Sequence, residues 1–482
     1  MEPIVGKPSL WSDILVRVVS FGILIILARS AFIVSDSADF CFFSDTVRVS
    51  DPSPATSVAH LQNYFSSVFQ DLIAEGFLSP DSKALCIETL TGQDVEALRE
   101  IGVVDSIGIS KKPSPPFVVS GRSVRHPFHD NTFDFEFSGN ASLDRSAHPA
   151  EFASEVSRTL KPGGFFVVHT LSKDLYSLNS LLDLFNSCTL IRARDIDGFD
   201  SSMPSIREIV LKKENEILGH GKKKKQALNA NSVNRCSVQG YKQELTRNAE
   251  PLITPEPLKP WITLKRNVKN IRYLSSMVDI GFKSKYVYID VGARNYGSSI
   301  GSWFNKQYPK QNKTFDIYAI EADKAFHAEY SMKKGVNLLP YAAWVRNETL
   351  FFEINREPSR KNEERGRGMG RIQAAQSSSN FVGDLDRIVG FDFANWLKNT
   401  VSERDFVVMK MDVEGTEFHL IPRLVETGAI CLIDELFIEC HYSRWQRCCP
   451  GERSSKYQKT YAQCLELLSS LRRRGVLVHQ WW

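Results

Sequence analysis

The 482-residue sequence lacks three signatures, each of which would have indicated a broad class of protein. No C-x-x-C pair occurs among its nine cysteines, which argues against a zinc site built from paired thiolates. The fingerprint G-x-G-x-x-G is absent as well, which argues against a dinucleotide site of the Rossmann type. The formal net charge is only +4, so the composition does not indicate a nucleic-acid-binding protein.

Long apolar runs are also scarce, and the best candidate for a membrane span is short. Residues 14–34 contain an apolar core, Val18–Ala28, flanked by Arg17 and Arg29. If both arginines reach the interfaces, this span can just cross a bilayer. We therefore predict a signal-anchor helix within residues 1–36 and a body in the lumen of the endomembrane system, Golgi or endoplasmic reticulum. A cleaved signal peptide and a buried or targeting helix remain open.

In such a lumen some cysteines would pair, for example Cys440 with Cys448 or Cys449. Three N-glycosylation sequons are compatible with the same compartment: Asn140, Asn312 and Asn347.

Three stretches in the C-terminal half each place an acidic residue or a glycine directly after an apolar run. They are residues 286–301, 317–323 and 406–418. Continuous apolar runs of this length are typical of parallel strands that are buried on both faces. Open α/β sheets bind ligands beyond the carboxyl ends of their strands. We therefore expect a binding site where these three strands end.

The first stretch predicts a strand over Tyr286–Ile289 and a turn from Asp290 to Gly297. Gly292 has no Cβ and would let the backbone approach a ligand closely. A helix after Gly297 would direct its free N–H groups at a carboxylate. An ordinary strand–turn–helix connection can use the same residues, so this stretch alone does not distinguish a binding site from such a connection.

Acidic residues end the other two predicted strands. Glu321 follows the second one and is suited to accept hydrogen bonds from both hydroxyls of a ribose. Asp412 and Glu414 follow the third, Phe406–Met411, and can face the same cleft. Either carboxylate can act as a base or hold a divalent cation, and either can instead cap a helix.

Together these motifs resemble the FkbM-type family of S-adenosylmethionine-dependent methyltransferases over residues 262–450 or so. The resemblance rests on three motifs: the turn after Asp290, the acidic end of the second strand and the segment KMDVEGTE. The closing stretch, from FIECHYSRW to VHQWW, resembles a plant branch of this type. The resemblance implies a class I methyltransferase fold, S-adenosylmethionine as cofactor and O-methylation of a sugar or another small hydroxylated acceptor.

The motifs and the resemblance assign two sets of residues, and no metal ligands. The predicted donor-binding residues are Asp290, Gly292, Ala293, Arg294, Gly297, Glu321 and Ala322. The predicted catalytic residues are Asp412, Glu414 and His441. His441 follows a further apolar strand, Cys431–Ile438, and is a candidate base because an ordinary imidazole titrates near neutral pH. Residues 475–482 are expected to form the reversed strand that closes class I methyltransferase sheets.

Residues 55–212 predict a second domain that resembles a class I methyltransferase of the commonest small-molecule type. The strings PFHDNTFDFEFS and RTLKPGGFFVVHT carry this resemblance. Its donor motifs are lost, because CIETLTGQD replaces the acidic residue and glycine loop, and Ser110 replaces the second acid. We predict a degenerate domain that packs, shapes the substrate or binds protein partners; an active site with altered recognition is the alternative.

Two polar stretches complete the organisation. Residues 213–260 are predicted to be a flexible linker, because they are polar and then proline-rich. Residues 355–380 interrupt the C-terminal domain, 262–482, and are predicted to be a lid, a substrate contact or a disordered segment. The predicted fold class is α/β, with two tandem Rossmann-like class I methyltransferase domains after an N-terminal transmembrane helix.

Two functions from different classes fit this organisation. The first is a membrane-anchored methyltransferase with one working site in the C-terminal domain and a small-molecule or glycan acceptor. The second is a non-catalytic pseudo-methyltransferase scaffold that recruits partner enzymes. A nucleotide-sugar or NAD enzyme is a weaker third interpretation, because the glycine spacing is wrong for it.

Overall fold

The computed structural model describes residues 54–200, 203–214, 240–356, 367–373, 383–446 and 451–481. The chain divides into two units, Met1–Ser57 and Val58–Trp482, and both main sheets lie in the second. Within the described ranges, no helix combines the length and the apolar character needed to cross a membrane. The predicted anchor at residues 14–34 lies outside those ranges, as do residues 215–239 of the predicted linker.

The N-terminal half forms a seven-stranded sheet in the order β3-β2-β1-β4-β5-β7-β6. Its strands are β1 (Ala84–Ile87), β2 (Ser106–Ser110), β3 (Val118–Ser120), β4 (Phe133–Ser138), β5 (Leu160–Thr170), β6 (Cys188–Asp200) and β7 (Met203–Lys213). Its helices are α1 (Pro54–Ala74), α2 (Gln93–Glu100), α3 (Pro149–Thr159) and α4 (Leu175–Leu184). Strand β7 runs antiparallel to both β5 and β6, whereas the other neighbours pair in parallel. This single reversed strand is the arrangement expected of a class I methyltransferase sheet, so the predicted fold of this half is confirmed.

The C-terminal half forms a six-stranded parallel sheet in the order β10-β9-β8-β15-β16-β17. Its strands are β8 (Tyr286–Val291), β9 (Asp316–Ile320), β10 (Val336–Leu339), β15 (Phe406–Met411), β16 (Glu435–Ile438) and β17 (Leu477–Gln480). Its helices are α5 (Gly240–Arg247), α6 (Pro260–Asn267), α7 (Leu274–Met277), α8 (His327–Ser331), α9 (Phe393–Thr400), α10 (Glu417–Glu426) and α11 (Tyr461–Arg473). The sheet is Rossmann-like, and its strands are apolar on both faces because helices cover both.

The prediction of a reversed last strand is wrong. Strand β17 pairs with β16 in parallel, with Leu436 opposite Val478. The physical reason is the connection, because α11 lies between the two strands and a strand–helix–strand crossover returns the chain in the same direction.

A small four-stranded sheet is inserted between β10 and α9. Its strands are β11 (Ala342–Trp344), β12 (Glu348–Arg356), β13 (Arg367–Gln373) and β14 (Gly383–Asp392), in the order β11-β14-β12-β13. Leu350, Phe352 and Ile388 form its buried core. The flexible stretch predicted at 355–380 is therefore wrong for residues 367–373, which pair antiparallel with β12.

The predicted flexible linker is wrong for residues 240–260. The side chain of Glu250 is buried and accepts hydrogen bonds from the ring Nδ1 of His479 (2.8 Å) and from Arg472 (3.2 Å). The backbone N–H of Ile253 donates to the side chain of Gln480 (2.6 Å). These residues are therefore part of the C-terminal domain, and its boundary lies earlier than position 262.

The two halves contact each other at the amino ends of the C-terminal strands. The hydroxyl of Tyr176 on α4 donates to Asp434, directly before β16 (3.1 Å). Ser172 donates to Asp279 in the loop before β8 (2.8 Å). Phe282, from the same loop, is buried in the core of the N-terminal half. The carboxyl ends of the parallel strands lie at the opposite edge of the sheet from these contacts.

Candidate active site

A cavity of about 410 Å³ lies at the carboxyl ends of β8, β9 and β15. Its volume is within the range of small-molecule sites. The inserted sheet contributes one wall, through Phe352 and Ile372. Six of the ten predicted site residues line it: Gly292, Arg294, Glu321, Ala322, Asp412 and Glu414. The cavity therefore lies where the ends of the three strands were expected to form a site.

Gly292 is needed for a reason that the sequence did not reveal. Its φ is +80°, and a Cβ there would collide with the backbone carbonyl oxygen of Asp412. The backbone N–H of Asp412 donates to Val291 O (2.9 Å), so the ends of β8 and β15 are held together. Glycine thus allows two strand ends to meet under the cavity.

Asp290 lies beneath the cavity and does not line it. Its carboxylate is fully buried, accepts a hydrogen bond from Ser299 and lies 3.4 Å from Lys410 Nζ. Burial raises the pKa of Asp290, although the Lys410 ammonium opposes this. Lys410 also lies 3.5 Å from Asp412, so Asp290 holds the cation that in turn contacts a cavity carboxylate.

The helix predicted after Gly297 is reduced to a single short turn. Helical structure begins only at Ile300 and consists of one five-residue turn, Ile300–Phe304. The Ser298 hydroxyl donates to the carbonyl of Ala293 (2.7 Å), which keeps the preceding segment in a turn. Gly297 is exposed and Ala293 is buried outside the cavity. The exposed Arg294 guanidinium is the group of this turn that can bind a carboxylate.

Glu321 is a buried carboxylate on the cavity wall. One oxygen accepts from the backbone N–H of Asp323 (2.7 Å) and the other from that of Arg294 (2.6 Å). Burial raises the pKa of Glu321 to about 7, despite these two hydrogen bonds. Each carboxylate oxygen has a second lone pair, so ribose hydroxyls can still donate to it.

Glu414 is already paired within the protein. It adopts φ +50° and accepts hydrogen bonds from Lys456 Nζ (2.7 Å) and from the Tyr457 hydroxyl. Burial alone would raise the pKa of Glu414, but His441 and Lys456 outweigh it and the net shift is downward. Glu414 is therefore a poor proton acceptor.

His441 is buried among four carboxylates. Its Nε2 lies 3.6 Å from Asp412, 3.7 Å from Glu439 and 3.9 Å from Glu414, and its Nδ1 lies 3.4 Å from Glu417. Burial alone would lower the pKa of His441, but these carboxylates raise it to about 9. The argument that assigned His441 as a base, an ordinary imidazole pKa, therefore does not hold here.

A disulfide fixes the segment that carries Glu439 and His441. Cys440 is bonded to Cys464 on α11, with a Cα–Cα distance of 5.9 Å. The predicted pairing of Cys440 with Cys448 or Cys449 is wrong, because Cys464 faces Cys440 from the helix packed beside β16. Cys431 is disulfide-bonded as well.

Several cavity residues were missed by the sequence analysis. Arg444 lines the cavity and pairs with Glu439 (3.0 Å); its place in the stretch after His441 was a usable signal. Phe352 and Ile372 line the cavity from the inserted sheet; the apolar run Leu350–Ile354 indicates the strand that carries Phe352, whereas nothing in the sequence marks the strand that carries Ile372. Trp481 is buried and lines the cavity as well.

The corresponding edge of the N-terminal sheet is closed by its own side chains. The Thr89 hydroxyl donates to Asp94 and accepts from the backbone N–H of Gly92 (3.0 Å). A Cβ on Gly108 would lie 2.7 Å from Thr89 Cγ2, so the loop after β1 packs directly on β2. This packing supports the prediction that the donor site of this half is degenerate.

Two family profiles match the chain. A family described as "Methyltransferase domain" matches residues 104–168, and a "Domain of unknown function (DUF7870)" matches residues 247–350 and 369–482. The first match begins after β1 and its loop, and the second contains all ten predicted site residues. No curated protein matches the chain. The FkbM-type resemblance is not among these matches and stays a prediction.

Solved structures of methyltransferases are similar to part of the chain. A chain from the complex of the Haloferax volcanii Trm112 methyltransferase activator with a putative methyltransferase is 14% identical, with 35% of this chain and 97% of that chain covered and a TM-score of 0.28. A putative methyltransferase from Bacillus halodurans is 14% identical, with 31% and 100% covered and a TM-score of 0.25. The Burkholderia thailandensis 1,6-didemethyltoxoflavin-N1-methyltransferase, solved with S-adenosylhomocysteine, is 13% identical, with 36% and 99% covered and a TM-score of 0.25.

The reversed-strand sheet and the matched methyltransferase domain together define a Rossmann-like S-adenosylmethionine-dependent methyltransferase fold. By family inference, this fold implies S-adenosylmethionine as the cofactor.

Proposed function

We propose that the chain transfers a methyl group from S-adenosylmethionine to a hydroxyl oxygen of a small acceptor, in the cavity of the C-terminal half. The observation that carries the proposal is that Glu321, Arg294 and Asp412 line one cavity at the ends of three adjacent strands. As the FkbM-type resemblance implies, the acceptor is a sugar or another small hydroxylated molecule.

Glu321 and Arg294 would hold the methyl donor. The Glu321 carboxylate ends the second strand of the sheet and would accept hydrogen bonds from the ribose hydroxyls. The Arg294 guanidinium would pair with the carboxylate of the methionine part. Binding at both ends would fix the sulfonium between them.

Asp412 would face the acceptor. The acceptor oxygen forms a bond to the methyl carbon while the sulfur–carbon bond breaks, and the electron pair stays on sulfur as a neutral thioether. The hydroxyl proton leaves to Asp412 or to water beside it. Alignment supplies much of the rate in such an in-line transfer, and a proton acceptor supplies more.

The proposed location is the lumen of the endomembrane system, with residues 14–34 as a single membrane anchor. The disulfide between Cys440 and Cys464 supports an oxidising compartment. The proposed anchor rests on residues 14–34, which can just cross a bilayer when Arg17 and Arg29 reach the interfaces.

Calorimetric titration of the full-length chain with S-adenosylmethionine tests the proposal. Glu321→Ala should raise the donor dissociation constant at least tenfold, because a buried charged acceptor is lost. Asp316→Ala is the matched control: Asp316 is an exposed acid at the opposite end of the same strand and should have no effect. Equal affinities of the two variants would contradict the donor site.

Transfer is tested with radiolabelled donor and a panel of hydroxylated acceptors. Incorporation of label by the wild type, but not by Glu321→Ala, is expected. A well-folded wild type that binds no donor would instead favour the non-catalytic scaffold.

A further inference from the structure

We propose that Asp412, Glu439 and His441 bind a divalent cation at the edge of the cavity, where it holds the acceptor oxygen. The catalytic role of this ion rests on the proposed function, whereas the ion site itself rests only on the side chains that form it.

The sheet brings the three ligands together. Met411 pairs with Ile438, so Asp412 and Glu439 directly follow neighbouring strand ends, and His441 lies two residues further on. One ligand atom from each residue lies within 4.8 Å of the other two. Two ligands that are each about 2.1 Å from one ion lie roughly 3–4 Å apart, depending on the angle. The separations of 3.6 Å and 3.7 Å from His441 Nε2 fit this geometry.

His441 is buried, and its Nε2 is available to bind a metal ion. The side chain is only 3% exposed, and within the described residues Nε2 makes no hydrogen bond, because its nearest carboxylate oxygens lie at 3.6–3.9 Å. Its Nδ1 faces Glu417, 3.4 Å away. Proteins usually orient a metal-binding histidine through a carboxylate on the far side of the ring, and Glu417 occupies that side, held there by a hydrogen bond from the backbone N–H of His441 (2.7 Å).

The side chains around the site carry more negative than positive charge. Five carboxylates belong to its network of contacts, Asp290 through Lys410 and the others through His441 or Lys410: Asp290, Asp412, Glu414, Glu417 and Glu439. Among the described side chains, three permanent cations pair with this group: Lys410, Arg444 and Lys456. An ion bound at Nε2 would replace the proton that the carboxylates favour there. With the imidazole then neutral, two negative charges remain, and a divalent cation would balance them.

The mixed oxygen and nitrogen ligands suit Mn²⁺, Zn²⁺ or Mg²⁺. Three protein ligands leave positions open toward the cavity, as in catalytic sites. An acceptor hydroxyl bound there would lose its proton to water more readily, and its oxygen would attack the methyl carbon while the donor sulfur takes the electron pair of the broken bond. The ion would also fix the oxygen in line with the sulfonium.

Electron paramagnetic resonance of the full-length chain titrated with Mn²⁺ tests the site. We expect one bound Mn²⁺ whose spectrum shows coupling to an imidazole nitrogen. Asp412→Asn and Glu439→Gln should each weaken binding at least tenfold, and His441→Gln should also abolish the nitrogen coupling. Because substitution can unfold the site, each variant is also titrated with S-adenosylmethionine, which should still bind.

Glu321→Gln is the matched control, because it removes a carboxylate from the same cavity but not from the cluster. It should weaken donor binding and leave Mn²⁺ binding within threefold. Absence of Mn²⁺ binding, equal affinity in all variants, or a spectrum without nitrogen coupling would overturn the ion site. Mn²⁺ binding without donor binding would keep the ion site and reject the proposed function.

Discussion

At Glu321, burial and ligand binding have opposite requirements. The buried carboxylate is easier to protonate, with a pKa of about 7, yet only the ionised form can accept hydrogen bonds from two ribose hydroxyls. Donor affinity should therefore rise with pH, by roughly tenfold between pH 6 and pH 8, since the ionised fraction changes by that factor. Titration calorimetry across this range measures it.

The same residue should affect stability with the opposite sign. The folded pKa lies above the ordinary value of 4.5, so the free energy of unfolding should fall as pH rises from 4.5 to about 7. Glu321→Gln should remove this contribution and bind the donor weakly at every pH. A Gln variant whose donor affinity keeps the wild-type pH slope would assign the titration to another group.

Substitutions at Gly292 and Gly335 distinguish the cost of a backbone collision from the cost of left-handed backbone strain. Gly292→Ala should cost about 3 kcal/mol of unfolding free energy, since it adds left-handed strain to a collision with the Asp412 carbonyl. Gly335→Ala is the control, because Gly335 has the same φ of +80° but open space around its Cβ, and should cost only about 1 kcal/mol. Denaturant unfolding measures both, and equal losses would rule out the collision.

The carboxylates of the site could be predicted because they directly follow apolar strands, and parallel strand ends meet at one edge. Glu321 and Asp412 were found in this way. The charge state of His441 could not be predicted, because it depends on Glu417, which reaches the imidazole from α10. Local patterns identify where a strand ends, but not which side chains other elements place around it.

At the scale of elements, the segment after α5 is held by a buried ion-pair network. His479, with a pKa raised to about 8 by Glu250 and Glu435, links β17 to this segment. Its folded pKa is raised, so its stabilisation is present below pH 6.5 and lost as pH rises through about 8.

Glu250→Gln should lower the unfolding free energy by about 3 kcal/mol near pH 6.5 and by less at pH 9, since it leaves Arg472 without its carboxylate and His479 with Glu435 alone. Glu244→Gln on the exposed side of α5 should change it by less than about 0.5 kcal/mol. Chemical denaturation at both pH values provides the comparison. A loss of unfolding free energy that does not depend on pH would show that the stabilisation by Glu250 does not come from its ion pair with His479.

The strands β8, β9 and β15 could be predicted because apolar runs mark buried parallel strands wherever they occur. The direction of β17 was predicted wrongly because it was taken from the methyltransferase resemblance, whereas a helix between β16 and β17 favours a parallel strand. In the inserted sheet, the apolar run Leu350–Ile354 indicates β12, but β13 was missed because Arg367–Gln373 is polar and rich in glycine and arginine, without the alternation that marks a strand. Pairing with β12 gives this strand its structure.

At the scale of the whole molecule, the two halves share core residues at the edge opposite to the cavity. Phe282 belongs to the C-terminal chain segment before β8 but is buried with Phe133 and Phe152 of the N-terminal half. Unfolding either half would therefore expose a phenylalanine that the other half buries. The N-terminal half can in this way stabilise the C-terminal half without contributing to its cavity.

Phe282→Ala should lower the unfolding free energy by about 3–5 kcal/mol and split a single calorimetric transition of the chain into two, because the shared core contact is lost. Phe315→Ala removes a comparable side chain whose aromatic contacts, among the described residues, all lie in the C-terminal half, and it should lower stability without splitting the transition. Both variants should bind the donor as the wild type does below their transitions, since neither residue lines the cavity. Loss of donor binding in a folded Phe282→Ala variant would instead show that the N-terminal half acts on the site itself.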